Sequence, residues 1–74
     1  MMTIASELKI GDITHSHGNA PAGKYRITKL DVYERENAPR HMAKRLVWVW
    51  GVSVNGGGEV CLTRLPDAAE VWTE

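Results

Sequence analysis

Four consecutive residues, Asn55-Gly56-Gly57-Gly58, constrain the fold of this chain more than any other feature. They predict a tight turn, because glycine and asparagine are the residues that adopt a positive φ at low cost. The segments on either side, residues 45–54 and 59–65, are rich in apolar and β-branched side chains. We therefore predict that they pair as a β-hairpin with the glycines at its tip.

Three further strands are predicted from alternating apolar and polar residues. They cover residues 8–14, which include a Gly11-Asp12 turn, residues 25–32, and residues 70–73. The polar segments 15–23 and 34–44 read as loops. Pro66-Asp67-Ala68-Ala69 predicts one helical turn before the last strand, because proline is tolerated at the first position of a helix. Five strands in 74 residues leave no room for a helical layer.

The order of these elements resembles that of a small Src-homology-3-like barrel. The resemblance is carried by the Leu8 to Asp12 entry, the glycine turn, Leu65-Pro66 and Val71. It implies an all-β, five-stranded barrel in one domain over residues 1–74, but no function, since such barrels serve many functions. The acidic and aromatic positions that bind proline-rich peptides in this family are not recognisable, so no binding residue is carried over. The oligonucleotide-binding fold is disfavoured, because the glycine turn leaves no space for its helix between the third and fourth strands.

Composition narrows the class of protein. Apolar residues make up 43% of the chain, and no apolar run reaches the roughly 18–20 residues that cross a bilayer. Residues 1–7 lack the features of a signal peptide, and Cys61 as the single cysteine excludes an internal disulfide. A cytoplasmic protein is expected. The small size and the lack of enzyme motifs would suit an accessory protein of a bacteriophage or mobile element.

No residue pattern indicates catalysis or metal binding. His15, His17, His41 and Cys61 do not have the spacing of a known zinc site, and His15 and His17 read as loop histidines. Cys61 lies between Val60 and Leu62, which favours a buried apolar role over that of a nucleophile. The glycine turn is not followed by the helix, Lys and Ser/Thr of a phosphate-binding loop. The sequence therefore predicts no catalytic residue, metal, cofactor or small-molecule substrate.

The chain has three tryptophans, Trp48, Trp50 and Trp72, and no phenylalanine. Trp48 and Trp50 share one face of a predicted strand whose other face carries Val47 and Val49. Two interpretations remain open. Either one or two of the indoles fill the core, or the Trp48/Trp50 face is partly uncovered and forms an interface, as exposed aromatic patches often do.

Charge is unevenly distributed although the net charge is zero. Residues 24–45 hold seven basic and three acidic side chains, whereas residues 59–74 hold four acidic side chains and one basic. This asymmetry allows a head-to-tail contact between copies. A pI near 6.8 is low for a nucleic-acid-binding domain.

The preferred hypothesis is a non-catalytic protein-binding module, an adaptor or inhibitor able to self-associate. Its predicted partner-binding residues are Tyr33, Arg35, Arg40, Arg45, Trp48 and Trp50. The alternative is a nucleic-acid-binding barrel that uses the basic segment and its tyrosines. The residues of that alternative are Lys24, Arg26, Lys29, Arg35, Arg40, Lys44 and Arg45 with Tyr25 and Tyr33.

Overall fold

A computed structural model describes residues 1–15, 20–37, 39–42 and 44–74. These residues form an all-β structure without an α-helix, as predicted. The six strands are β1 (Met2–Ile4), β2 (Ile13–His15), β3 (Lys24–Glu34), β4 (Arg45–Ser53), β5 (Val60–Pro66) and β6 (Glu70–Trp72). A single 3₁₀ turn, Ala5–Glu7, follows β1.

The strands belong to two sheets rather than to one closed barrel. Strands β2, β3, β4 and β5 form an antiparallel sheet in that order, which curls into a half-barrel. Strands β1 and β6 form a separate antiparallel pair. One bridge between Thr14 and Thr73 connects the two sheets. The five-stranded Src-homology-3-like barrel is thus not confirmed: the described residues form six strands, and the last one pairs with β1 in a sheet of its own.

The predicted hairpin is confirmed. Strands β4 and β5 pair antiparallel around the glycine turn. Gly56 and Gly57 have φ values of 101° and 117°, in the left-handed region that an L side chain rarely adopts. The Gly56 N–H donates to the carbonyl of Ser53 at 3.0 Å, which closes the turn.

The predicted helical turn before the last strand is wrong. Pro66 is the last residue of β5 and pairs with Leu46. The next amide, that of Asp67, donates to the carbonyl of Arg45 at 3.2 Å. Since amides alternate in direction along a strand, the Pro66 nitrogen faces the open edge, where no ladder bond requires an N–H. The chain then reverses in a turn closed by the Ala69 N–H and the Pro66 carbonyl at 3.0 Å.

The predicted first strand, residues 8–14, is mostly a turn. Gly11 has a φ of 99°, and the Asp12 carboxylate accepts a hydrogen bond from the Lys9 amide at 2.9 Å. Leu8 is buried in the core but is not in a strand. Of this segment, only Ile13 and Thr14 are in a strand. Strand β1, which was not predicted, takes the first place in the chain order.

Strand β3 carries a β-bulge between Ile27 and Lys29, so its alternation changes phase. Tyr25 and Ile27 are buried before the bulge, and Leu30 is the residue packed against the core after it. The bulge lies where β3 comes very close to β4. A Cβ atom built on Gly51 would lie 2.7 Å from the Arg26 carbonyl oxygen and 3.0 Å from Leu62 Cδ1.

The core lies between the concave side of the half-barrel and the small sheet with its 3₁₀ turn. Its residues are Ala5, Leu8, Tyr25, Ile27, Val47, Val49, Leu62 and Val71. Threonines lie at its margin, and one of them, Thr14, connects the two sheets. The Thr14 hydroxyl donates to the carbonyl of Trp72 at 2.7 Å, and the hydroxyls of Thr3 and Thr73 are also 2.7 Å apart.

Gly51→Ala is predicted to lower the free energy of unfolding by about 1–3 kcal/mol, the usual cost of forcing atoms into a packed site. The new methyl group would meet backbone, which cannot rotate away. Gly58→Ala is the matched control, because no atom lies within 4 Å of its Cβ position and its φ is not in the left-handed region. Urea unfolding of both variants measures the difference, and equal stabilities would contradict the tight approach at Gly51.

Candidate binding surface

Strand β4 separates small side chains from large ones. Val47, Val49 and Gly51 are buried on the concave side, whereas Leu46, Trp48 and Trp50 are only half-buried on the opposite side. None of the three tryptophans belongs to the buried core cluster. Of the two interpretations, the one that places indoles in the core is therefore wrong, and Trp48 and Trp50 lie on the outer face of the sheet.

The outer face consists of three rows of side chains, one from each of β3, β4 and β5. Residues directly opposite each other in antiparallel strands share a face, so the pairing register defines the rows. From the bulge toward the far end of the hairpin, the cross-strand layers are Lys29–Trp50–Cys61, Asp31–Trp48–Arg64 and Tyr33–Leu46–Pro66. Without the phase change at the bulge, Tyr33 would lie on the concave side.

The layer at the far end opens into a groove of about 560 Å³, which we call the outer groove. Its lining residues are Tyr33, Arg35, Met42, Leu46, Trp48, Arg64 and Pro66. Two of them are cationic and none is acidic. Tyr33 is 56% exposed and Met42 is 46% exposed, so large apolar surface is in contact with water here.

Cationic side chains lie over both indoles of the outer face. The guanidinium carbon of Arg64 is 5.3 Å from the centroid of Trp48, and Lys29 Nζ is 5.5 Å from that of Trp50. Both distances are within the range of cation–π attraction. The Trp50 Nε1 atom is buried and has no hydrogen-bond partner among the described residues. Each indole of the outer face therefore already has a cation as a neighbour.

The six predicted partner-binding residues do not form one cluster. Tyr33, Arg35 and Trp48 line the outer groove, and Trp50 lies on the same face beyond Trp48. Arg45 alternates with Leu46 and has the opposite orientation, and its Nε is 3.3 Å from Glu34 Oε1. Arg40 is exposed in the connection between β3 and β4.

The basic segment is partly neutralised by ion pairs. Lys24 pairs with Glu74 at 3.3 Å, Lys29 with Asp31 at 3.5 Å, and Arg45 with Glu34 at 3.3 Å. Three of the seven basic residues proposed for nucleic-acid contact therefore already have carboxylate partners. All three pairs are about half exposed and of modest strength.

The other sequence candidates lie away from the outer groove or outside the described residues. His15 contacts Trp72, with ring centroids 4.2 Å apart, and Cys61 is half-buried beside Trp50. His17 lies outside the described residues. Within the described ranges, no group of three or more His, Cys, Asp or Glu side chains is arranged to hold a metal ion. Nor does any helix in that part of the chain have the length and apolar character to span a bilayer.

Four groove residues are absent from the predicted partner-binding set: Met42, Leu46, Arg64 and Pro66. The position of Leu46 was predictable, because it lies two residues before Trp48 and therefore on the same face of the strand. Arg64 and Pro66 depend on the register of β5, which shifts between Val49 and Trp50. Met42 lies in the connection between β3 and β4, where no periodicity guides a prediction.

Comparison of the chain with protein-family models, curated proteins and solved structures finds no match. The geometry of the outer face is therefore the basis for assigning a function.

Arg64 and Trp48 are predicted to stabilise each other by about 0.5–1 kcal/mol, the usual size of an exposed cation–π contact. A double-mutant cycle of Arg64→Ala and Trp48→Leu, measured by urea unfolding, gives this coupling free energy. Trp72→Leu combined with Arg64→Ala is the control, because the Trp72 ring contacts His15 instead. Additive effects in both cycles would contradict the contact.

Proposed function

We propose that the chain is a non-catalytic protein-binding module, an adaptor or inhibitor that binds a segment of a partner protein in the outer groove. The observation that carries the proposal is the groove lining. It combines partly exposed Tyr33, Met42 and Trp48 with Arg35 and Arg64 and has no acidic residue. Tyrosine, tryptophan and arginine are the residue types most enriched at the centres of protein interfaces.

The lining also suggests the chemistry of the partner segment. An apolar or aromatic side chain fits between Tyr33, Leu46 and Trp48, where it would cover surface that is now in water. A carboxylate beside that side chain would meet the exposed guanidinium group of Arg64, a group that binds carboxylates in a bidentate geometry. The favoured ligand is therefore an acidic segment with one large apolar anchor.

Nucleic acid fits this surface less well. Base stacking needs an open aromatic face, and both indoles of the outer face have a cation about 5 Å from the ring. Phosphate binding needs cations without carboxylate neighbours, and three basic residues of the segment 24–45 already have such neighbours. A carboxylate of a peptide bound in the outer groove would meet no acidic side chain in the groove lining.

A random peptide library displayed on phage and selected on the immobilised protein tests the proposal. We expect enriched peptides that combine an aromatic or large aliphatic residue with Asp or Glu. In fluorescence polarisation with a synthetic enriched peptide, Tyr33→Ala and Arg64→Ala should each weaken binding about tenfold or more, as loss of an interface anchor does. Ile10→Ala is the control, because Ile10 is 69% exposed and does not line the groove.

Two results would contradict the proposal. One is a set of enriched peptides that bind Tyr33→Ala as well as the original chain. The other comes from an amide-resolved NMR titration with a DNA duplex and a single strand at low and physiological salt. Shifts at Tyr33 and the indoles that persist at physiological salt would favour the nucleic-acid alternative instead.

A further inference from the structure

Strand β3 is much longer than the strand that pairs with it on one side. Strand β2 pairs only with Lys24, Tyr25 and Arg26, and the amide and carbonyl of Ile27 bond to Asp12 and Gly11. Beyond Ile27, no described strand pairs with this side of β3, whereas β4 covers the other side as far as Glu34. The second half of β3 is thus an edge of the half-barrel.

The hydrogen-bonding direction along this edge follows from one bond. The Arg35 N–H donates to the carbonyl of Lys44 at 2.8 Å, toward β4. Since backbone groups alternate in direction along a strand, those of Tyr33 and Asp31 also face β4. The N–H and C=O groups of Leu30, Val32 and Glu34 consequently face the open side. The side chain of Val32 is 57% exposed on the concave side, next to this edge.

The opposite edge of the same sheet, on β5, is protected. The residues of β5 whose backbone groups face outward include Pro66, which has no N–H to offer. A register shift also interrupts this strand opposite Val49 and Trp50. Proline and bulges are the devices by which natural sheets prevent pairing at an edge. The β3 edge has no proline, and its register is regular from Lys29 to Glu34.

A second copy of the chain is not a suitable strand for this edge. Two copies that pair antiparallel through this same edge are related by a twofold axis. If the equivalent faces of the two strands are to lie on the same side, one residue must lie opposite its own copy, and we call this residue the centre of the pairing. Centring on Leu30 would place the other copy's strand where Gly11 and Asp12 already bond to Ile27. Centring on Asp31 would place two carboxylates directly opposite each other, which is destabilising.

The remaining centres are no better. Centring on Val32 would oppose Lys29 to Arg35 and Leu30 to Glu34. Centring on Tyr33 would leave only three residues of each strand paired, because β3 ends at Glu34. The charges and the length of the edge therefore favour a strand with a different sequence.

We infer that the open edge of β3, from Leu30 to Glu34, binds an extended segment of a partner protein as an added antiparallel strand. Main-chain bonds to Leu30 and Val32 would supply the affinity, as in other strand-addition complexes. The segment would carry apolar residues opposite Leu30 and Val32, an acidic residue opposite Lys29 and a basic residue opposite Asp31. This edge adjoins the outer groove at Tyr33, but its binding groups are the backbone N–H and C=O groups of Leu30 and Val32, and the inference does not rest on the proposed function.

The heptapeptide Lys-Thr-Val-Lys-Val-Glu-Thr, with blocked ends, is the probe for this inference. It runs antiparallel to β3 with its two valines opposite Val32 and Leu30. In an amide-resolved NMR titration we expect shifts at the amides of Leu30, Val32 and Glu34 and slower hydrogen exchange there. The Arg64 amide on the β5 edge should not shift.

Two N-methylated versions of the probe form a matched pair that leaves the protein unchanged. Methylation of the first valine, opposite Val32, removes a donor that faces β3, and should weaken binding about fivefold or more, the effect of one lost hydrogen bond. Methylation of the central lysine, opposite Asp31, alters a donor that faces away, and should leave the affinity within about twofold. Equal effects of the two, or no binding at millimolar probe, would overturn the inference.

Hydrogen exchange of the protein alone gives an independent check. We expect rapid exchange at Leu30 and Val32 and slow exchange at Asp31 and Tyr33. Slow exchange at all four at every concentration would mean that the chain covers its own edge, and protection that grows with concentration would mean that a second copy does. Either result overturns the inference. Arg64→Ala, which removes a groove residue on β5 and leaves the β3 edge unchanged, should still bind the heptapeptide, which keeps a failure of the outer groove distinguishable from a failure of the edge.

Discussion

The close approach of the Arg26 carbonyl to Gly51 is the contact on which the rest of the structure depends. It is possible because position 51 has no side chain, and it lies beside the bulge in β3. The bulge changes the phase of the strand, so that Ile27 and Leu30 both contribute to the concave side. The same change turns Tyr33 toward the outer face. One missing Cβ atom thus permits both the core and the groove.

The division of side chains on β4 follows from the limited depth of the half-barrel. Valine and glycine are narrow enough to meet Leu62 and Val71 across the concave side, whereas an indole is not. The larger side chains are displaced to the outer face, where cations and neighbouring strands cover them only in part. A small domain that builds its core from valines leaves its aromatic surface available for binding.

Local patterns predicted the all-β class, the glycine-turn hairpin and the strand that became β3. They failed where a distant partner decides the outcome. Pro66 is compatible with a helix start, yet pairing with Leu46 keeps it in β5. Leu8 and Ile10 alternate like strand residues, but Leu8 enters the core and Ile10 stays exposed on a turn. The site was predicted in part, because Trp48 and Tyr33 are distinctive residues, whereas Arg64 joins them only through the β5 register.

The small sheet has a consequence for how the chain folds. Strands β1 and β6 pair Met2 with Trp72 and Ile4 with Glu70, so this ladder joins segments almost a full chain length apart. Closing so long a loop costs much chain entropy before any contact forms, whereas the β4–β5 hairpin closes locally. We expect the hairpin to form early and the β1–β6 pair to form last. In the native protein the small sheet is also the part expected to open first, exposing Ala5 and Val71 while the half-barrel stays intact.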